Sequence, residues 1–296
     1  MSSSRPSPRP HLACEIAAGR VLAGRAAEGS GAVEFAAYDL PKGSVVPDLT
    51  EANLRDRSAV HRTIRDTLNS LGGRSRDLIA ILPDSAVRVM LLDFETLPAK
   101  AVEAEGVVRF RLKKSLPFDV EKARVSYHAQ TSGTGVRVVA AVVLNNVVEE
   151  YESVFREAGY APGVVLPSML AALGAARADT PALVVKVDTR TTSIAILDHQ
   201  QLLLFRTLEN PDGSAVTGER LAEEVYPSVV FFQDTYHLNI DRIYVAGLPD
   251  LGTAAAALRS QTGVEVQELI SASQLGGGRG SIPKWQIAGV AGALVS

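Results

Sequence analysis

The feature that most constrains this 296-residue chain is a repeated order of elements: three strands followed by alternating helices and strands, met once toward each end. In the first copy the apolar pattern predicts a strand over His11–Ala17, a tight turn at Ala18–Arg20, a strand over Val21–Ala27 and a third over Ala32–Leu40. Gly29 and Gly31 punctuate the second hairpin. Val60, Ile64 and Leu68 recur at helical spacing within Ser58–Leu71, which Gly72 and Gly73 close, and Asp77–Leu82 is a short apolar strand stopped by Pro83. The second copy predicts strands over Ala182–Val187, Ser193–Leu197 and Gln201–Leu208, then a helix over Gly218–Tyr236 and a strand over Asp241–Ala246. A helix over Leu251–Gln261, a strand over Val264–Leu269 and a small-residue helix over Trp285–Val295 complete it. Hairpin-rich sheets covered by helices bury both faces, so two such units predict a duplicated α/β fold of two lobes around a cleft.

Residues 86–160 break the symmetry. They predict an extended segment at Ala86–Phe94, a helix at Lys100–Ser115, strands at Arg124–Gln130 and Val136–Leu144, and a helix at Val147–Ala158. Val164–Pro167 then resumes the first unit as a strand, followed by a helix over Met169–Ala178. The expected division is a disordered tail at 1–10, a first lobe from 11–85 and 161–179, an inserted α+β subdomain at 86–160, and a second lobe at 180–296.

The balance of charge narrows the function classes. A net charge of −3, with no long run of one sign, gives no basic surface for a nucleic-acid backbone. The one cysteine, Cys14, lies in an apolar run and reads as a buried strand residue in a reducing compartment. Ser, Pro and Arg fill the first ten residues, without the apolar stretch of a signal peptide. No apolar run reaches the roughly 18 residues of a membrane span, so the chain is expected to be cytoplasmic, with membrane association only through a partner. His11, His61, His128, His199 and His237 form no metal-ligand spacing, and no metal site is expected. Gly276–Gly280 lacks the Gly-Lys-Ser/Thr ending of a phosphate loop and reads as a linker. No Ser-His-Asp or Cys-His set stands in motif context.

Three passages are more specific. Val108-Arg-Phe-Arg-Leu-Lys-Lys-Ser-Leu-Pro-Phe-Asp119 is a basic helix with a Leu-Pro-Phe exit. Val187-Asp-Thr-Arg-Thr-Thr-Ser-Ile-Ala-Ile196 is a strand end, a polar turn and a strand, and Asp241-Arg-Ile-Tyr-Val-Ala-Gly-Leu-Pro-Asp-Leu251 is a strand entering a glycine turn and a helix. Together they resemble the PilM family, the cytoplasmic actin-like component of type IV pilus assembly. The resemblance implies an actin-like (ribonuclease H-like) fold with a subdomain inserted in the first lobe, as in the cell-division relative FtsA. It implies a non-enzymatic scaffold at the inner face of the cytoplasmic membrane, binding the short cytoplasmic N-terminus of a single-span, PilN-like partner and contacting other pilus platform proteins. For the basic helix two readings stand: a core-packed helix with a solvated face, or a groove in which Phe110, Leu112, Leu116, Pro117 and Phe118 receive the partner peptide.

An actin-like nucleotide site uses one hairpin turn per lobe, each with an aspartate and, two residues on, a glycine that lets backbone N–H groups approach phosphate. Here the first turn reads Glu15-Ile-Ala-Ala-Gly19, and the second, Asp188-Thr-Arg-Thr-Thr-Ser193, keeps the aspartate but has Arg190 at the glycine position. Arg190 either pairs with a phosphate or fills the turn. Any nucleotide is expected to meet Glu15, Asp188, Thr189, Arg190, Thr191 and Gly247. Only one helix fits between Leu208 and Asp241, so the helical roof of the second lobe is expected to be reduced or absent. No cofactor is therefore expected. A functional ATP–magnesium site or ATPase is the alternative, and a secretion-system adaptor of the same fold is a third reading.

Overall fold

Near-continuous apolar runs mark strands covered on both faces, and one opens each half of the molecule, Leu12–Ala17 and Ala182–Val187. The structure, a computed structural model, describes residues 9–27, 32–133, 135–210, 216–271 and 282–295. Gly276–Gly280, Gly29 and Gly31 lie outside them, as do residues 1–8 of the predicted tail. The first half comprises β1 (Leu12–Ala17), β2 (Arg20–Ala26), β3 (Val33–Asp39), α1 (Arg57–Ser70) and β4 (Asp77–Leu82). Then follow β5 (Arg88–Phe94), α2 (Ala101–Leu112), β6 (Ala123–Ser132), β7 (Gly135–Leu144), α3 (Asn145–Glu157), β8 (Ala161–Pro167) and α4 (Ser168–Leu173). The second half comprises β9 (Ala182–Val187), β10 (Thr191–Asp198), β11 (Gln201–Glu209), α5 (Gly218–Tyr236), β12 (Arg242–Ala246), α6 (Leu251–Thr262), β13 (Val266–Glu268) and α7 (Ala288–Val295).

Two five-stranded sheets repeat one topology. The first runs β3-β2-β1-β4-β8 and the second β11-β10-β9-β12-β13. In each, the first three strands pair antiparallel as hairpins. The fourth then joins the first in parallel and the fifth joins the fourth. Parallel pairs need long crossovers. Helix α1 and the segment β5–α3 supply them in the first sheet, and α5 and α6 in the second. The segment inserted before β8 forms its own antiparallel sheet, β5-β7-β6.

Strand parity divides the interior into three cores. Leu12, Cys14, Ile16, Leu78 and Ala80 face outward from the first sheet, toward a core shared with α1, α3 and the inserted sheet. Leu183, Val185, Ile194 and Ile243 face α5 and α6. The intervening residues Ala13, Ile79, Ala182, Val184 and Ala195 build a third core between the sheets, with α4 and α7 in it.

Three elements differ from expectation. The helix expected over Met169–Ala178 stops at Leu173, because Gly174 ends it and Gly174, Ala175 and Ala176 bond back only three residues, a tightened 3₁₀ exit. The strand expected over Val264–Leu269 shrinks to three edge residues. The last helix begins at Ala288, after a 3₁₀ turn at Lys284–Gln286, and lies on α4, β1 and β2 of the first sheet rather than on the second sheet. Small residues allow that seat: a Cβ on Gly292 would lie 2.2 Å from the Ala171 carbonyl oxygen. Residues 210–217 separate β11 from α5, a stretch too short to hold a helical subdomain.

Candidate functional site between the two sheets

The two leading hairpins place equivalent residues face to face. In the first, Glu15 pairs across with Leu22; in the second, Lys186 pairs with Ser193. Counted from the centre of each turn, Glu15 and Lys186 hold the same position. Asp188 corresponds instead to Ala17, and Arg190 to Gly19. The sequence reading aligned Asp188 with Glu15, two residues out of step. Parity gives the same result: Glu15 continues the inward row of Ala13, and Lys186 that of Ala182 and Val184.

Both side chains are buried, and the Lys186 Nζ lies 3.8 Å from Glu15 Oε1 and 3.7 Å from Asp188 Oδ2. Burial works against the lysine's charge, but Glu15, Asp188 and Asp84 outweigh it and raise its pKa. Asp84 belongs to a short 3₁₀ turn after β4 and is itself buried. Its carboxylate accepts from the Met169 N–H at 2.8 Å, at the start of α4, and from Ser193 Oγ at 2.9 Å, on β10. Burial pushes its pKa up to about 6, although Lys186, the Met169 N–H and Ser193 oppose the rise. The Ser168 hydroxyl donates to Glu15 Oε1. Gly289 of α7 leaves room for that carboxylate, since a Cβ there would come 2.7 Å from Glu15 Oε2. Sequence reasoning missed Lys186, Asp84, Ser168 and Ser193. The available signal for the first was a lone lysine in the apolar strand Ala182-Leu-Val-Val-Lys-Val187.

Above this cluster opens a cleft of about 870 Å³. Of the six predicted nucleotide contacts, Glu15, Asp188, Thr189 and Gly247 line it, whereas Arg190 and Thr191 do not. The Arg190 side chain is exposed, and Thr191 is buried within β10. The turn is closed by Asp188, whose Oδ1 accepts from the Arg190 N–H at 3.0 Å and the Thr191 N–H at 3.4 Å, so the Arg190 side chain does not fill it. Gly247 has φ +90°, and a Cβ there would stand 1.7 Å from the Val187 carbonyl oxygen, so only glycine lets β12 turn against β9. At the rim Thr217 caps α5 and Asp250 caps α6. The Arg20 guanidinium lies 5.6 Å over the Trp285 ring. Five carboxylates (Glu15, Asp39, Asp188, Glu219, Asp250) and two cations (Arg20, Lys186) line the cleft.

The predicted partner residues divide. Phe110 is 67% exposed, beneath Lys114 at 5.6 Å, and Pro117 is exposed. Leu116 and Phe118 are half-buried against the first core. Leu112 is 0% exposed and belongs, with Val108 and Ala104, to the buried stripe of α2, so it offers nothing to a partner. Among the described residues no helix is long and apolar enough to cross a membrane. Nor, among them, do three His, Cys, Asp or Glu side chains stand together to hold a metal ion.

No protein-family model and no curated protein matches the chain. Among solved structures, 97% of it is similar to 98% of a chain in the PilM-PilN type IV pilus biogenesis complex, at a TM-score of 0.78 and 19% identity. The fold is the duplicated actin-like one. The cytoplasmic domain of EpsL, an inner membrane component of the type II secretion system of Vibrio cholerae, is similar over 90% of this chain and 92% of its own, with a TM-score of 0.55 and 12% identity. The ethanolamine utilization protein EutJ from Carboxydothermus hydrogenoformans is similar over 98% and 91%, with a TM-score of 0.50 and 12% identity. The PilM resemblance seen in the sequence therefore holds at the level of the whole fold.

Proposed function

We propose that this chain is a cytoplasmic scaffold of a type IV pilus or related secretion platform, binding a short N-terminal peptide of a single-span, PilN-like membrane protein without help from nucleotide. The observation that carries the scaffold reading is the Lys186 ammonium buried in the floor of the cleft. A magnesium-bound triphosphate needs carboxylates there, free to orient the metal and its waters. Here an internal cation already faces Glu15 and Asp188, and Asp188 is committed to its own turn. The negative excess of the lining opposes a polyphosphate further. The residues present do not fit Mg-ATP.

The pilus assignment is supported by the likeness along nearly the full chain to a member of the PilM-PilN complex. The peptide surface we assign is the exposed part of α2 and its exit, Phe110, Pro117 and the free edges of Leu116 and Phe118, with Leu112 withdrawn. Placement at the inner face of the cytoplasmic membrane follows from such a partner. The alternative, an ATP-binding protein, draws on the volume of the cleft and the two helix N-termini at its rim. A fluorescence-anisotropy titration with the labelled N-terminal peptide of a single-span, PilN-like protein from the same organism tests the reading. Saturable binding near 1 μM, about −8 kcal/mol, is expected with and without Mg-ATP. Binding only with Mg-ATP, or none, would count against it.

A further inference from the structure

The cluster beneath the cleft joins the two sheets through charge as well as through packing. From the first sheet and its helices come Glu15, Asp84 and Ser168; from the second come Lys186, Asp188 and Ser193. Two contacts cross between them, Lys186 to Glu15 and Ser193 to Asp84. Buried carboxylates tolerate such crowding only with a counter-charge among them. A bound divalent cation is one source of such a charge. Here the ammonium stands between two carboxylates at nearly equal distance, with a third close enough to raise its proton affinity. It comes from the strand position equivalent to Glu15, so the chain itself supplies the charge from one side of a symmetric frame.

We infer that Lys186 is a built-in replacement for a divalent cation at the floor of the cleft, and that it pins the two sheets at one separation whatever the cleft contains. The cleft then has no empty state that a ligand must close. This goes beyond the scaffold reading and does not depend on the partner, so a failed peptide titration leaves it standing.

The experiment uses Mn²⁺ as a probe, by electron paramagnetic resonance and by its effect on the thermal midpoint. Wild-type chain is expected to leave Mn²⁺ free up to about 1 mM and to show an unchanged midpoint. Lys186→Asp, which puts a carboxylate at the same inward position of each hairpin, is expected to bind one Mn²⁺ and to melt higher in its presence. Lys186→Met, which leaves Glu15, Asp84 and Asp188 without a cation, is expected to melt lower than wild type. Binding of Mn²⁺ by wild type that Glu15→Gln removes would overturn the inference. So would a folded Lys186→Asp that takes up no Mn²⁺, or a Lys186→Met with an unaltered midpoint. If neither variant folds, the wild-type arm decides.

Discussion

Glu15 and Lys186 hold the same position in two copies of one hairpin, face each other across the space between the sheets, and carry opposite charges 3.8 Å apart. A duplicated fold brings like positions together, and here the pair has become complementary. Removing Glu15 takes one carboxylate from the ammonium, and removing Lys186 strands Glu15 beside Asp84 and Asp188, so the loss of one charge changes the cost of losing the other. In a double-mutant cycle, Glu15→Gln and Lys186→Met are each expected to destabilise, with a coupling of about 1–3 kcal/mol in urea unfolding. Additive effects would show that the two charges do not sense each other.

Asp84 makes stability depend on pH. Its pKa in the fold is about 6, against an ordinary carboxylate near 3.8. Between those values the folded chain holds the proton more tightly than the unfolded one, so stability falls as pH rises through this window and is higher near pH 5 than at pH 7.5. The contribution is on the order of 2 kcal/mol. Asp84→Asn keeps an acceptor for the Met169 N–H, presents its amide NH₂ as a donor to Ser193 Oγ, and is expected to flatten the slope. Urea midpoints at the two pH values check this; an equal slope in both proteins would contradict it.

Two glycines make opposite predictions. Gly247→Ala demands a Cβ at φ +90° and 1.7 Å from the Val187 carbonyl oxygen, so a loss above about 2 kcal/mol is expected. Gly106 lies inside α2, with nothing within 4 Å of a Cβ, and Gly106→Ala is expected to gain about 0.5–1 kcal/mol. Thermal melts of the two variants separate these outcomes.

The surface and core of α2 are separable. Phe110→Ser is expected to weaken peptide binding about tenfold while leaving stability within about 0.5 kcal/mol. Leu112→Ala is expected to cost about 2–5 kcal/mol through a core cavity. Anisotropy and urea unfolding on the same variants measure both quantities. Unimpaired peptide binding by Phe110→Ser would remove α2 from the proposed interface.

Much of the fold was legible in the residues, for physical reasons. Alternation and turn residues exposed both hairpin units, and α5 spans Gly218–Tyr236 as predicted because Thr217 caps it and His237 leaves it in a left-handed conformation. The seat of α7 was not legible, since a helix of small residues is apolar all round and its pattern names no partner face. The charged cluster was only partly legible. Glu15 was found through the resemblance, but Lys186 required strand parity, and Asp84 lies in a short turn with no motif. On α2, the buried stripe Ala104, Val108 and Leu112 was readable at four-residue spacing, and the partner reading drew Leu112 into the wrong face.

The most direct measurement is titration calorimetry of the folded chain with Mg-ATP, beside the partner peptide in the same preparation. No heat beyond dilution is predicted for Mg-ATP at concentrations up to about 1 mM, and saturable heat for the peptide near 1 μM. Mg-ATP binding tighter than about 100 μM, above all with turnover to ADP, would contradict a cleft whose central cation is Lys186.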